Sequence, residues 1–311
     1  IFLHIIVVEF IGAILLSIRF IPEYGLKTGI FYSVFHSISA VCNAGFDILG
    51  NTSLIKYQND ALVSIVIMLL IIIGGLGYTV WNDVILAVKK IFKRKSKLGK
   101  IFSELTVHTK IVLITTLILI VSGAIFTFLL EKDNFNIMKD DNIGTKILKS
   151  CFYSVTLRTA GFETVDTTNL TTASKFISIF YMFIGGSPGS TAGGIKTTTF
   201  AILIFMVIGY LKGYENTVMH KRTISQKILK RAIVIFAVSI IFVMTAIISL
   251  TITEDLYQEQ QSAMNQLNNT KFRFMDIIYE VFSAYATVGV TLGITPKLSV
   301  IGKIIIMLLM F

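Results

Sequence analysis

Three short stretches of small, neutral residues are where this chain can do chemistry. They are Phe35–Phe46 (FHSISAVCNAGF), Phe152–Phe162 (FYSVTLRTAGF) and Val281–Val290 (VFSAYATVGV). Each ends in the same way: Asn43, Ala44, Gly45; Thr159, Ala160, Gly161; and Thr287, Val288, Gly289, with the glycines 116 and 128 residues apart. These nine residues hold no carboxylate, thiol or imidazole, so they suit a site built from backbone dipoles. A short helix followed by glycine is the arrangement of cation filters, in which carbonyls past the helix replace the ion's water shell. The negative end of the helix dipole favours a cation in the cavity beneath. Glycine suits the turn because it accepts a positive φ and lets backbones approach closely. The competing reading is three surface hairpins with turn glycines. The threefold recurrence at matching positions argues against it.

A second stretch is Gly185–Lys196 (GGSPGSTAGGIK), with five glycines and one proline in twelve residues. It cannot hold a regular helix, yet it interrupts the otherwise apolar run Phe176–Leu211. Broken helices of this kind mark ion or substrate paths, and the pairs Gly185-Gly186 and Gly193-Gly194 offer joints. Gly189 and Gly194 have the spacing of a phosphate-binding loop. Ile195 stands where that motif needs lysine, and a membrane helix precedes it instead of a strand, so nucleotide hydrolysis has no support.

The elements that must position these stretches are membrane helices. The chain has 311 residues, 54% hydrophobic and 15% charged, with mean hydropathy +0.78. Residues 61–80, 111–130 and 232–252 carry no Asp, Glu, Lys or Arg, and about 20 helical residues cross a bilayer. Each short stretch reaches only about 15 Å as a helix, too little to cross. It can only dip in and return. The apolar pattern gives three units of span, short helix, span: 1–20, 31–46, 61–88; then 105–130, 146–162, 174–211; then 227–253, 273–290, 298–311. Lys89–Lys110 holds eight Lys/Arg and one acid, and Lys212–Arg231 six and one. That asymmetry places both links in the cytoplasm and the short helices on the outer side. Asn134–Thr145 and Glu254–Asn269 read as polar outer loops. The net charge of +10 comes largely from the two links, and the flanking spans make nucleic-acid binding improbable. Ile1 and Phe311 lie within apolar runs, so both ends are expected to cut through membrane helices.

The remaining chemistry-bearing residues give less. Cys42 and Cys151 form no metal or disulfide framework and are expected to be small buried residues. His4, His36, His108 and His220 show no ligand spacing. Asp83 is expected to be solvated or paired near Lys89 and Lys90. Asp276 and Glu280 are expected to anchor the third short helix, and Arg158 to point outward and pair with an acid.

These residues resemble the Trk/Ktr/HKT superfamily of potassium transporters, and its Ktr-type membrane subunits in particular. Asn43–Asp47, Arg158–Phe162 and Thr287–Gly289 are similar to that family's second, third and fourth filter segments. Gly185–Thr197 is similar to the intramembrane loop of its third repeat, Ile73–Tyr78 to the second-repeat inner helix, and Gly293–Pro296 to the fourth-repeat exit. The resemblance covers essentially the whole chain. It implies an all-α multi-pass fold of pseudo-fourfold helix, pore-helix, helix repeats, three of them present: 1–90, 105–212 and a truncated 227–311, joined by basic links at 91–104 and 213–226. It implies potassium uptake across the cell membrane, not catalysis, through carbonyls of Asn43, Ala44, Gly45, Thr159, Ala160, Gly161, Thr287, Val288 and Gly289. The implied gate is Gly185, Gly186, Ser187, Pro188, Gly189, Ser190, Thr191, Ala192, Gly193, Gly194 and Lys196. Also implied are K+ as the transported ion, Na+ as an activator, no organic cofactor, a homodimer in membrane lipid, and a cytosolic nucleotide-binding regulatory subunit of the RCK type. The alternatives are a sodium-coupled or sodium-permeable transporter of the same fold and a non-conducting membrane scaffold.

Overall fold

The computed structural model describes residues 2–50, 53–93, 101–214, 217–219, 222–265 and 272–310. It is helical apart from a hairpin of two-residue strands, β1 (Val218–Met219) and β2 (Arg222–Thr223). Much of the basic run after Lys93, and part of the link around residues 215–221, lie outside the described residues.

The helices follow the apolar pattern. A long outer helix leads to a short one and then to a further helix: α1 (Phe2–Tyr24), α2 (Leu26–Val41) and α3 (Ala61–Leu76) with α4 (Tyr78–Lys93). After the short α5 (Ile101–Glu104) come α6 (Val107–Glu131), α7 (Ile143–Thr156) and α8 (Thr172–Phe183) with α9 (Thr197–Leu211). The last group is α10 (Gln226–Asn265), α11 (Phe274–Tyr285) and α12 (Val300–Leu309). Leu3–Tyr24, Val107–Glu131 and Gln226–Glu259 are each long and apolar enough to cross a bilayer. Their outward faces stay apolar, as Phe10, Leu117 and Ile241 illustrate. Such faces match lipid, which offers backbone groups no hydrogen bonds and so requires them to be satisfied within helices.

Buried acids and hydroxyls pin the helix ends. Glu131 at the end of α6 accepts from Thr171 N (3.0 Å) and Thr171 Oγ1 (2.7 Å), where Thr171 caps α8. Glu254 on α10 accepts from Ser299 N (3.1 Å) and Oγ (2.6 Å), where Ser299 caps α12. In the first group Asp60 caps α3 and pairs with Arg19 of α1 at 2.6 Å. Each arrangement satisfies N–H groups that a helix start leaves unpaired.

Two features differ from the apolar pattern. Residues 61–88 do not form one straight helix: α3 and α4 are bent by 99° at Gly77. And Glu254–Asn265 is no loop, because α10 runs 40 residues through it. No glycine or proline interrupts Gln226–Asn265, and Glu, Gln, Ala and Met are good helix formers, so polarity alone did not end the helix. Residues 266–271, the end of the expected outer loop, lie outside the described residues.

Candidate ion path and its Gly-rich loop

The short helices α2, α7 and α11 each end in a turn of matching shape. Asn43, Thr159 and Thr287 have φ of 50°, 69° and 53°, and two residues on Gly45, Gly161 and Gly289 have 69°, 83° and 88°. A left-handed non-glycine residue carries strain. Its recurrence at the three matched positions marks a common backbone path. The segments also meet. A Cβ placed on Gly161 would lie 2.7 Å from Val288 O, 3.2 Å from Gly45 Cα and 3.5 Å from Gly289 Cα. One placed on Gly45 would lie 2.5 Å from Ala160 O. Backbone from three segments more than a hundred residues apart thus converges, and there is no room for a side chain at Gly45 or Gly161.

The side chains beside the glycines are neutral; Asn43 and Thr159 are buried, whereas Ala44 and Thr287 are exposed. In the orientation that satisfies both amide atoms, Asn43 donates to Ala40 O at 3.1 Å and Ile71 O at 3.2 Å. Thr159 is fully buried and its Oγ1 has no partner among the described residues. Beyond the glycines, Glu163 ties the three outgoing loops together. Its backbone N–H donates to Ser53 Oγ (3.3 Å), its carbonyl accepts from Leu54 N (2.9 Å), and its carboxyl accepts from Thr291 N (3.2 Å). Burial pushes that carboxyl up to about 7; Asp166 and Glu280 add to the rise, and the Thr291 bond opposes it. No pattern around the second filter stretch pointed to Glu163, because its partners Ser53, Leu54 and Thr291 follow the first and third.

Residues 185–196 lie on the opposite side of the converging segments. Gly193 packs against the third one, since a Cβ there would meet Thr287 Oγ1 and lie 2.9 Å from Ala286 O. Thr191 Oγ1 donates to Val41 O at the end of α2 (3.4 Å), and Lys196 donates to Ala192 O (2.6 Å). The stretch Ser187–Gly189 is seated on the α3/α4 bend. Ser187 N donates to Gly75 O (3.0 Å), Ser187 Oγ to Leu76 O, and Tyr78 N to Gly189 O (3.2 Å). The bend is held by Trp81 Nε1 on Ile73 O (2.9 Å). Gly77, at φ 79°, cannot carry a Cβ, which would lie 2.8 Å from both Pro188 O and Ser187 Oγ. A cavity of about 180 Å³ adjoins this seat, lined in part by Val8, Val41, Cys42, Tyr78, Trp81 and Thr191.

The other singled-out residues divide. Arg158 is buried but pairs with no acid among the described residues; its Nη2 donates to Gly185 O at 3.2 Å and its Nε has no partner. The acid expected beside it is replaced by a loop carbonyl, which only the tertiary fold brings near. Cys42 is exposed, not buried, because the end of α2 opens on the cavity. Cys151 is half-buried. Asp83 accepts from Thr106 N (2.9 Å) and Oγ1 (2.8 Å) and so joins α4 to the start of α6. Asp276 pairs with Lys175 at 3.5 Å, and Glu280 accepts from Thr291 Oγ1 (2.6 Å), Leu292 N (3.2 Å) and Thr295 Oγ1. Both acids anchor α11 to its neighbours, as expected.

Spanning helices arranged around short helices whose ends converge backbone to backbone define a multi-pass membrane protein of the cation-transporter class. The TrkH family, described as cation transport proteins, matches residues 1–311. The chain belongs to that family. It is 38% identical over 308 residues to the potassium/sodium uptake protein NtpJ of Enterococcus hirae, covering 98% of this chain and 62% of that protein. It is 39% identical over 310 residues to the Ktr system potassium uptake protein B of Bacillus subtilis, covering 100% of this chain and 63% of that one. The chain therefore spans less than two thirds of the length of these relatives. The crystal structure of the potassium transporter TrkH from Vibrio parahaemolyticus shares the fold, with TM-score 0.69 at 15% identity over 96% of this chain and 58% of that one.

Proposed function

We propose that this chain builds part of a potassium-selective pore in the cell membrane and takes part in potassium uptake. The observation that carries the reading is the convergence of Gly45, Gly161 and Gly289, each two residues after a left-handed Asn or Thr. Carbonyls of Asn43, Ala44, Gly45, Thr159, Ala160, Gly161, Thr287, Val288 and Gly289 line the path and replace the ion's water. The short helices α2, α7 and α11 point their C-terminal dipoles inward and favour a cation at the cavity below. Units 1–90, 105–212 and 227–311 are three repeats around that path, with basic links at 91–104 and 213–226 on the cytoplasmic side. Gly185–Lys196 is the gate beneath it. The whole protein works as a homodimer with a cytosolic nucleotide-binding subunit of the RCK type, and sodium acts as an activator. The alternative of a sodium-permeable pathway of the same fold draws support from the likeness to a potassium/sodium uptake protein.

The test is replacement of Gly161 or Gly289 by serine in the full-length protein. A side chain at φ 83° or 88° distorts the carbonyl ring. Rubidium uptake should lose its preference over sodium more than expression falls. An unchanged preference in both variants overturns the filter assignment.

A further inference from the structure

One residue near the end of each short helix makes the same pair of hydrogen bonds, and it is none of the nine assigned to the filter. Ser39, Thr156 and Ser283 are buried. The backbone carbonyl of each accepts from the middle residue of its segment: Ala44 N to Ser39 O at 2.9 Å, Ala160 N to Thr156 O at 3.0 Å, Val288 N to Ser283 O at 2.9 Å. The side-chain hydroxyl of each donates to the carbonyl just past the glycine: Ser39 to Phe46 O at 2.7 Å, Thr156 to Phe162 O at 2.6 Å, Ser283 to Val290 O at 2.6 Å. One residue therefore grips its segment at two points and spans the glycine between them.

The recurrence survives a difference in sequence spacing. Ser39 and Ser283 stand five residues before the gripped N–H, but Thr156 stands four before it. A chance match of pattern would not keep both bonds across that offset. Two physical consequences follow. The middle N–H and the carbonyl beyond the glycine both turn towards the short helix, so neither faces the path. And the glycine, which by itself has wide backbone freedom, is held in one conformation from both sides. A ring of carbonyls discriminates between ions of one charge only while its dipoles keep their number and orientation.

We propose that Ser39, Thr156 and Ser283 are positioning residues for ion selectivity, each clamping the backbone of one filter segment through its side-chain hydroxyl. The proposal rests on the filter reading and adds residues to it. The hydroxyls touch no ion and act only through the backbone they hold.

Thr156→Val keeps the shape of the side chain and removes the donor, leaving the buried Phe162 carbonyl unpaired; Thr156→Ser keeps the donor. In the full-length protein, expressed in cells lacking other potassium uptake, rubidium uptake and its competition by sodium are measured for both variants, for Ser283→Ala, and for Gly161→Ser and Gly289→Ser. A lost buried bond of this kind corresponds to about a tenfold change in an equilibrium. Thr156→Val and Ser283→Ala should therefore lose about tenfold in rubidium-over-sodium preference, and Thr156→Ser should retain it. If Gly161→Ser or Gly289→Ser loses the preference while Thr156→Val and Ser283→Ala both keep it, the clamp is wrong and the filter stands. If Thr156→Ser loses as much as Thr156→Val, packing and not the hydroxyl sets the segment, and the proposal falls. If Gly161→Ser and Gly289→Ser both keep the preference as well, the filter reading falls and the clamp with it. Should Thr156→Val fail to reach the membrane, Ser283→Ala decides by the same measurement.

Discussion

At the scale of single residues, two buried acids stand where a backbone group needs them. Glu254 is almost fully buried, and its carboxyl meets the backbone N–H and hydroxyl of Ser299 at the start of α12. Glu131 does the same for Thr171 at the start of α8. A helix start buried without partners is costly, so these acids serve architecture and not transport. Glu254→Ala should destabilise the protein by about 2 kcal/mol, read as an earlier melting transition in detergent, while the ion preference of the folded fraction stays as in the parent. A shift in ion preference without loss of stability would place Glu254 in the path instead. The glycines tell the opposite story. They contribute by lacking a side chain: the 2.7 Å from a Cβ on Gly161 to Val288 O, and the φ of 88° at Gly289, are why serine at either is expected to damage selectivity.

At the scale of elements, the bend between α3 and α4 and the stretch 185–196 form one joint. Three hydrogen bonds cross it, from Ser187, its hydroxyl and Tyr78, and Trp81 holds the bend from the α4 side. The first half of α4 meets the start of α6 through Asp83 and the capping Thr106. If the loop obstructs the path, loosening its seat should raise flux. Shortening Gly185–Gly194 by several residues should therefore increase rubidium uptake. Ser187→Ala, which removes the Leu76 bond alone, should increase it less. A cavity of about 180 Å³ adjoins the seat of the loop. Uptake that stays level or falls in properly folded shortened protein would mean the glycines make only a kink.

At the scale of the whole molecule, the proposed cytoplasmic face rests on the charge distribution. Fourteen of the 28 Lys and Arg residues lie in Lys89–Lys110 and Lys212–Arg231, and positive links stay inside. Anionic lipid attracts such charges diffusely, whereas a protein partner fits particular side chains. Charge reversal within these links should reduce co-purification with a cytosolic nucleotide-binding subunit at some positions and not at others. The subunit's nucleotide should also shift uptake. If no soluble protein co-purifies from the native host and uptake ignores nucleotide, the regulatory partner is wrong and the pore is untouched.

Class and family are legible in the residues alone, because both rest on local rules. Uninterrupted apolar runs of about 20 residues become helices in lipid, where only helices and closed barrels satisfy their own backbone hydrogen bonds. Basic links orient them. Small residues ending in glycine after a short helix singled out the three segments that converge, and Gly185–Lys196 announced a break through glycine and proline alone. Only the tertiary structure decided what depends on distant partners. The bend at Gly77 lies inside an apolar run that reads as one span; it forms around Ser187, 111 residues from Leu76. Arg158 found a loop carbonyl and not an acid, and Cys42 faced a cavity. Glu254–Asn265 stayed helical because polarity without a breaker does not stop a helix. The hydroxyls of Ser39, Thr156 and Ser283 lie close in sequence to what they hold, yet their spacing differs by one between segments. Hydrogen-bond geometry equates them where residue counting does not.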